Sequence, residues 1–318
     1  MSESKDMSLT VDSGVRRAVR PPGNPLATLR IFEPAPGIFA FYDGRTGERF
    51  HSEQPNWLDD GAFTLGVATY AIVDGTEALL YDAAITNDHA AAMLKHVQAL
   101  GVTKTTTVYS HFHNDHIAGA PALKAANSTF LGHNITAATI QRRTAALAAD
   151  DPPITAVLPT QLYVNQTTVQ VGSRTVELHN FNIHTPDGTV LFLPNEGILF
   201  AGDTLEDTAT FIADASSLPI HQTELQRMAK LPIKKILPAH GSPDRIAAGG
   251  YEASFIDATL RYIKAVDEPV AQPAAWNQTL QQVVAADVAA GNLIYFAQYE
   301  VVHQSNVQSI QEVRGVGQ

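Results

Sequence analysis

Ser110-His111-Phe112-His113-Asn114-Asp115-His116 places three histidines and one aspartate within six residues. The run Thr105 to Ser110, rich in Thr and Val, reads as a buried strand leading into it, and the small residues Ala118-Gly119-Ala120 follow. A turn at that point can aim several side chains into one pocket. The chain has no Cys, which excludes disulfides, zinc ribbons and zinc fingers, so any metal must be held by His and carboxylates. That ligand set suits zinc, and it is too dense for one tetrahedral ion that also uses distant partners. Two ions are the natural reading.

Working outward, Leu29 to Tyr42 alternates as a strand would, and Phe63 to Ile72 and Glu77 to Tyr81 flank the hairpin signal Asp74-Gly75. Asp88 to Leu100 has helical periodicity and stops at Gly101. Ser128 to Leu131 reads as a short strand, and His133 to Ala149 as a helix ending before Pro152-Pro153. After a joint near 150–162, strands are expected at Thr168 to Val171, Thr175 to Phe181, Thr189 to Leu193, Ile198 to Phe200 and Lys235 to Leu237. Helices are expected at Gln222 to Lys230, Tyr251 to Val266, Leu280 to Ala290 and near Ile294 to Val313. Two β-rich halves with helices outside each predict an α/β fold, a four-layer αββα sandwich whose sheets pack face to face. Residues 1–24 read as a flexible N-terminal extension, and residues 25–318 as a single domain with C-terminal helices.

With 318 residues, 45% hydrophobic and 17% charged, the composition is that of a globular protein with a sizeable core. A formal net charge of -11 argues against nucleic acid or an anionic membrane surface as partner, because phosphate binding needs clustered Lys and Arg. A small-molecule substrate fits better. No stretch approaches the roughly 20 apolar residues of a membrane-spanning helix. Met1 to Arg30 has no apolar signal-peptide core, so a cytoplasmic location is expected.

His111, His113, Asp115 and His116 match in full the H-x-H-x-D-H signature of the metallo-β-lactamase superfamily, which this sequence resembles from about Phe63 to His240. Asp82 stands where that family places an Asp supporting the site. Ile183-His184-Thr185-Pro186-Asp187-Gly188 resembles its third motif, although Asp187 precedes the Gly and no Gly precedes the His. Leu199-Phe200-Ala201-Gly202-Asp203-Thr204 resembles the fourth and Ile236-Leu237-Pro238-Ala239-His240-Gly241 the fifth. The resemblance implies the superfamily's αββα sandwich. It also implies a first zinc on His111, His113 and His184, a second on Asp115, His116 and His240, and Asp203 between them, with Fe or Mn as other occupants. His179 competes with His184, but it lies inside an expected strand.

The same resemblance implies a zinc-dependent hydrolase in which a metal-bridging hydroxide attacks a carbonyl, with Asp115 as the catalytic residue that orients the nucleophile or carries a proton. A lactone or other carboxylic ester is the expected substrate. The alternatives are a thioester, β-lactam, phosphodiester or sulfate ester at the same site, or a mononuclear-iron enzyme resembling persulfide dioxygenases. Trp57, Phe63, Phe112, Phe211 and the segment Tyr295 to His303 are candidates for setting specificity. An apolar helix face near the C-terminus would support a homodimer.

Overall fold

A computed structural model describes residues 26–316; the extension expected over residues 1–24 lies outside them. Twelve strands among the described residues form two sheets. The first runs in sequence order through β1 (Arg30–Ala35), β2 (Ile38–Asp43), β3 (Val67–Asp74), β4 (Glu77–Tyr81), β5 (Lys104–Val108), β6 (Thr129–His133) and β7 (Gln161–Tyr163). It is antiparallel from β1 to β4 and parallel from β4 to β7. The second has the order β12-β11-β10-β9-β8, from β8 (Gln166–Val171), β9 (Arg174–Asn180), β10 (Thr189–Leu193), β11 (Ile198–Gly202) and β12 (Lys235–Pro238), with β11 and β12 parallel.

Every expected strand is present, β7 is an additional strand at the end of the expected joint, and three expected elements differ for local reasons. The strand read over Leu29 to Tyr42 is a hairpin that folds back at Pro36-Gly37, pairing Ala35 with Ile38. The start of the strand read from Phe63 is instead the last turn of a π-helix, Trp57–Phe63, whose cap Asn56 accepts a hydrogen bond from the Asp59 amide. The helix read over Leu280 to Ala290 divides into two short turns, Leu280–Val283 and Ala285–Ala289.

The four-layer arrangement follows from which faces are apolar. Tyr42, Tyr70, Leu79, Tyr81 and Val108 of the first sheet meet Val176, Leu178, Leu191 and Phe200 of the second, all fully buried. The Phe200 ring packs edge-on to Tyr70 and Tyr81 at 5.3 and 6.2 Å between centroids. Tyrosines so deep must place their hydroxyls on partners. Tyr42 donates to Gly241 O (2.9 Å), Tyr70 to Pro238 O (2.6 Å) and Tyr81 to Thr189 O, so the first sheet is hydrogen-bonded through the core to the second half. Burial pushes the Tyr42 hydroxyl up to about 12, which keeps it a neutral donor.

Outside the first sheet, helix Asn87–Ala99 buries Ala90, Met93, Leu94 and Val97 on one face. Its start is capped by the Thr86 hydroxyl, which accepts from the His89 amide. Outside the second sheet, helix Ser254–Val266 buries Phe255, Ile256, Tyr262, Ile263 and Val266, and the C-terminal helix Tyr299–Arg314 packs on it. Among the described residues no helix is long and apolar enough to cross a membrane.

Candidate metal centre

The parallel pairs β4-β5 and β11-β12 end beside one another, and the chain leaving each strand carries a polar side chain. Asp82 follows β4, His111 follows β5, Asp203 follows β11 and His240 lies just beyond β12. Asp115 and His116 sit in the one-turn helix Asn114–Ile117, which begins as soon as the chain turns after His113. His184 lies in the turn between β9 and β10, at a φ of 66°. A non-glycine residue in that region is strained, and such strain concentrates at functional sites. Gly202 (φ 53°) lets β11 approach β4 and β5: a Cβ there would lie 2.9 Å from Tyr81 Oη and 3.0 Å from Ser110 Cβ. Asp203 is thereby delivered to the middle of the cluster.

All seven residues singled out in the sequence converge. His111, His113, His184 and Asp203 form one group able to hold a metal ion, and Asp115, His116 and His240 a second, with donor atoms within 4.8 Å of one another in each. His111 Nε2 and His184 Nε2 face His113 Nδ1 at 2.9 and 3.0 Å. Asp203 Oδ2 stands between the groups, 3.1 Å from His116 Nε2, 3.4 Å from His240 Nε2, 3.5 Å from His111 Nε2 and 3.6 Å from His184 Nε2. His179 does not join them; it is on β9 and pairs with Glu177 at 2.9 Å.

The nitrogens pointing inward are those that the opposite edges of the rings leave free. His240 Nδ1 donates to Gly66 O (2.7 Å), and His116 Nδ1 donates to Asp82 Oδ2 (2.7 Å), whose Oδ1 accepts from the Ser110 amide (2.6 Å). Holding a proton on Nδ1 makes Nε2 the lone-pair nitrogen, the usual way in which a buried His is prepared as a ligand. Asp203 Oδ1 is buried with no hydrogen-bond partner. Three ring nitrogens crowded face to face beside an unsatisfied carboxylate oxygen suit a divalent cation, which replaces the missing donors with one positive centre.

The electrostatics agree. Burial opposes charge on every member, yet Asp203, Asp115 and Asp82 hold His116 well above the usual imidazole range, and Asp203 and Asp115 do the same for His240. Burial and the neighbouring histidines hold His111 and His113 well below it. Against its own burial, Asp115 is held down to about 2 by His116 and His240. Its side chain is 16% exposed, against 1–5% for His111, His116, His184, Asp203 and His240, so Asp115 is the more open of the two cluster carboxylates that line the cleft.

That cleft encloses about 510 Å³, its open mouth included, and the cluster forms its floor. Trp57, Gly61, Ala62 and Leu65, from the π-helix and the turn after it, make one wall, and Phe211 another. Of the aromatic residues expected to set specificity, Trp57 and Phe211 are lining residues. Phe63 instead stacks on Phe50, Phe112 packs on His113, and none of Tyr295 to His303 is a lining residue. The sequence reading missed Glu206, a buried carboxylate in the lining, three residues past Asp203. Its only sequence signal is an acidic residue at a strand exit, Glu206-Asp207 after Asp203, where turns commonly carry one.

Two stacked sheets, with a buried cluster of five histidines and two aspartates at the ends of their parallel strands, define the class as a metal-dependent hydrolase. Residues 63–240 match the metallo-β-lactamase superfamily, and the chain belongs to it. Among solved structures the chain is similar to a metallo-β-lactamase from Pontibacter korlensis, at 21% identity and a TM-score of 0.55, over 74% of this chain and 99% of that one. It is also similar to the DIM-1 metallo-β-lactamase, at 16% identity and a TM-score of 0.53, over 68% of this chain and 90% of that one.

Proposed function

We propose that this chain hydrolyses an uncharged lactone or other carboxylic ester at a centre of two zinc ions. The observation that carries the reading is the cleft above the cluster, whose walls are Trp57, Gly61, Ala62, Leu65 and Phe211 and whose lining, among the described residues, includes no Lys or Arg. A phosphodiester, a sulfate ester or a β-lactam bearing its carboxylate brings a negative charge that a site built for it would meet with a cation. Two of the described guanidiniums, those of Arg45 and Arg143, are engaged with other groups. Arg45 donates to Leu65 O and Asp207 O and lies 4.2 Å from the Phe296 ring centroid, and Arg143 lies over Phe112. The buried carboxylate of Glu206 adds negative potential to the lining and disfavours an anion further.

In this reading His111, His113 and His184 hold one ion, Asp115, His116 and His240 the other, and Asp203 lies between them. Bound divalent metal supplies Lewis acidity toward an ester carbonyl and lowers the pKa of water to about 7. The protein's own contribution is orientation. Asp115, ionised and partly exposed, offers an oxygen at which water is aligned and a proton taken up and passed to the leaving alkoxide. The apolar walls hold the acyl and alkyl parts and exclude bulk water, which strengthens charge interactions in the site.

The test is metal analysis of protein purified without chelator, followed by assay of that sample on lactone, aryl ester, thioester, β-lactam and phosphodiester substrates. About two zincs per chain, with turnover of neutral esters above that of anionic substrates, is the expected result. Preference for a phosphodiester or a β-lactam would overturn the substrate assignment. One iron per chain with persulfide-dependent oxygen consumption would overturn hydrolysis.

A further inference from the structure

His116 and His240 each have a partner close to the matched family region's own strands, but His184 is supported differently. Its Nδ1 faces Phe211 O at 3.2 Å and Glu206 Oε1 at 3.4 Å. Glu206 is 2% exposed, and both its oxygens are engaged. Oε1 accepts from the Phe211 amide at 2.8 Å, and Oε2 accepts from Tyr299 Oη at 3.2 Å. Tyr299 is fully buried in the first turn of the C-terminal helix, outside residues 63–240. The same helix fixes the Phe211 segment through Asn306, whose Oδ1 accepts from the Ile212 amide (2.8 Å) and whose Nδ2 donates to Thr210 O (2.9 Å).

We infer that Glu206 is a positioning residue for the metal centre: anchored by Tyr299 of the C-terminal helix, it keeps the proton of His184 on Nδ1 and aims Nε2 at the first metal position. The inference rests on the metal-centre reading above. Three observations converge on this role. Among the described residues Glu206 has no Lys or Arg partner to make it an ion pair of the fold, its oxygens face the ligand histidine, the backbone that supports that histidine and the helix, and His184 occupies a strained backbone conformation that needs holding. A ligand histidine whose outer partner is lost costs roughly 10- to 100-fold in metal affinity.

The experiment is chelator competition with cobalt(II) on the full chain, reading affinity, stoichiometry and the visible absorption of the bound metal, with circular dichroism to confirm folding. Glu206→Ala is expected to weaken the tighter cobalt site by roughly 10- to 100-fold and to change its visible spectrum. Glu206→Gln keeps an oxygen acceptor for Nδ1–H and is expected to recover most of that loss, which a loss of net charge alone does not predict. Tyr299→Phe leaves the carboxylate in place but unanchored, and is expected to show a weaker effect of the same sign. It keeps the inference testable if Glu206→Ala does not fold. Wild-type cobalt affinity and spectrum in the folded alanine variant, or in Tyr299→Phe if that variant alone folds, overturn the inference while leaving the metal centre intact. A wild-type protein that binds no cobalt overturns the metal-centre reading and this inference together.

Discussion

Asp115 differs from the other members of the cluster in being both strongly acidic, at about 2, and open to the cleft. Those two properties suit a group that aligns water and carries a proton, so Asp115→Asn is expected to lower kcat by about 10²- to 10⁴-fold with KM little changed, read by steady-state kinetics beside metal analysis. Normal turnover with normal metal content would remove Asp115 from the chemistry. The histidines give a second expectation, for the metal-free protein. His116, His184 and His240 have folded pKa values above the unfolded value of about 6.5, so each stabilises the fold fully below that pH and loses its contribution as pH rises through the folded value. His111 and His113, lowered by burial, are already neutral in both states above about pH 7 and do not offset this. Chelator-treated protein should therefore lose Tm as pH rises above about 7, and metal, which displaces those protons, should bind more tightly as pH rises. A metal-free Tm that instead increases with pH there would contradict the assigned protonation states. At this scale the sequence was highly legible: the seven candidate ligands and Asp82 were named from the His-rich cluster and its resemblance to the family's motifs. Glu206 was not, because nothing in Glu206-Asp207 distinguishes a carboxylate turned inward onto a histidine from one left at a surface turn.

Among the elements, the π-helix Trp57–Phe63 and the turn after it do two jobs. They wall the cleft with Trp57 and Leu65, and Gly66 presents the carbonyl that accepts from His240 Nδ1. Trp57 is fixed by donation from its indole nitrogen to Pro152 O at 2.9 Å, which ties this wall to the loop after helix Asn134–Ala149. Trp57→Ala is expected to raise KM for an apolar ester by about tenfold while leaving kcat within about twofold, because it removes contact made equally in ground and transition states. A fall in kcat with unchanged KM would place Trp57 nearer the reacting atoms than the cleft indicates. Gly66 has a φ of 76°, and a Cβ there would lie 2.1 Å from Tyr42 Oη. Gly66→Ala is accordingly expected to cost about 2–5 kcal/mol in urea unfolding and to weaken metal binding. The sequence reading left Trp57 to Ala62 unassigned and took Phe63 and the turn after it as the start of a strand. The apolar residues of Trp57-Leu58-Asp59-Asp60-Gly61-Ala62-Phe63 fit neither a period of 2 nor one of 3.6 cleanly, and the wide turn is held by the Asp59 carboxylate, which accepts from the amides of Phe50, His51 and Ser52.

For the molecule as a whole, the interface between the two sheets is what holds the two groups of ligands face to face. Phe200 is fully buried there between Tyr70 and Tyr81, and Phe200→Ala is expected to destabilise the fold by about 3–5 kcal/mol in a denaturant titration. It should also weaken metal retention, since Asp203 leaves the same strand three residues later; unchanged retention in the folded variant would mean that the loops alone organise the site. The sequence by itself determined the class of fold, most of the strands within a few residues, though not the β1-β2 turn or β7, and, through its resemblance to family motifs, the identity of the cluster, because strand periodicity and motif residues are local properties that a chain carries wherever it folds. Tertiary structure alone decided which faces meet, how the tyrosines of one sheet reach the backbone of the other, that the cleft is walled by apolar groups with no Lys or Arg among the described residues of its lining, and that a C-terminal helix reaches Glu206 through Tyr299. Those features join residues separated by up to 199 positions, and a pairing at that distance is set by the packing of whole layers, which no window of sequence contains.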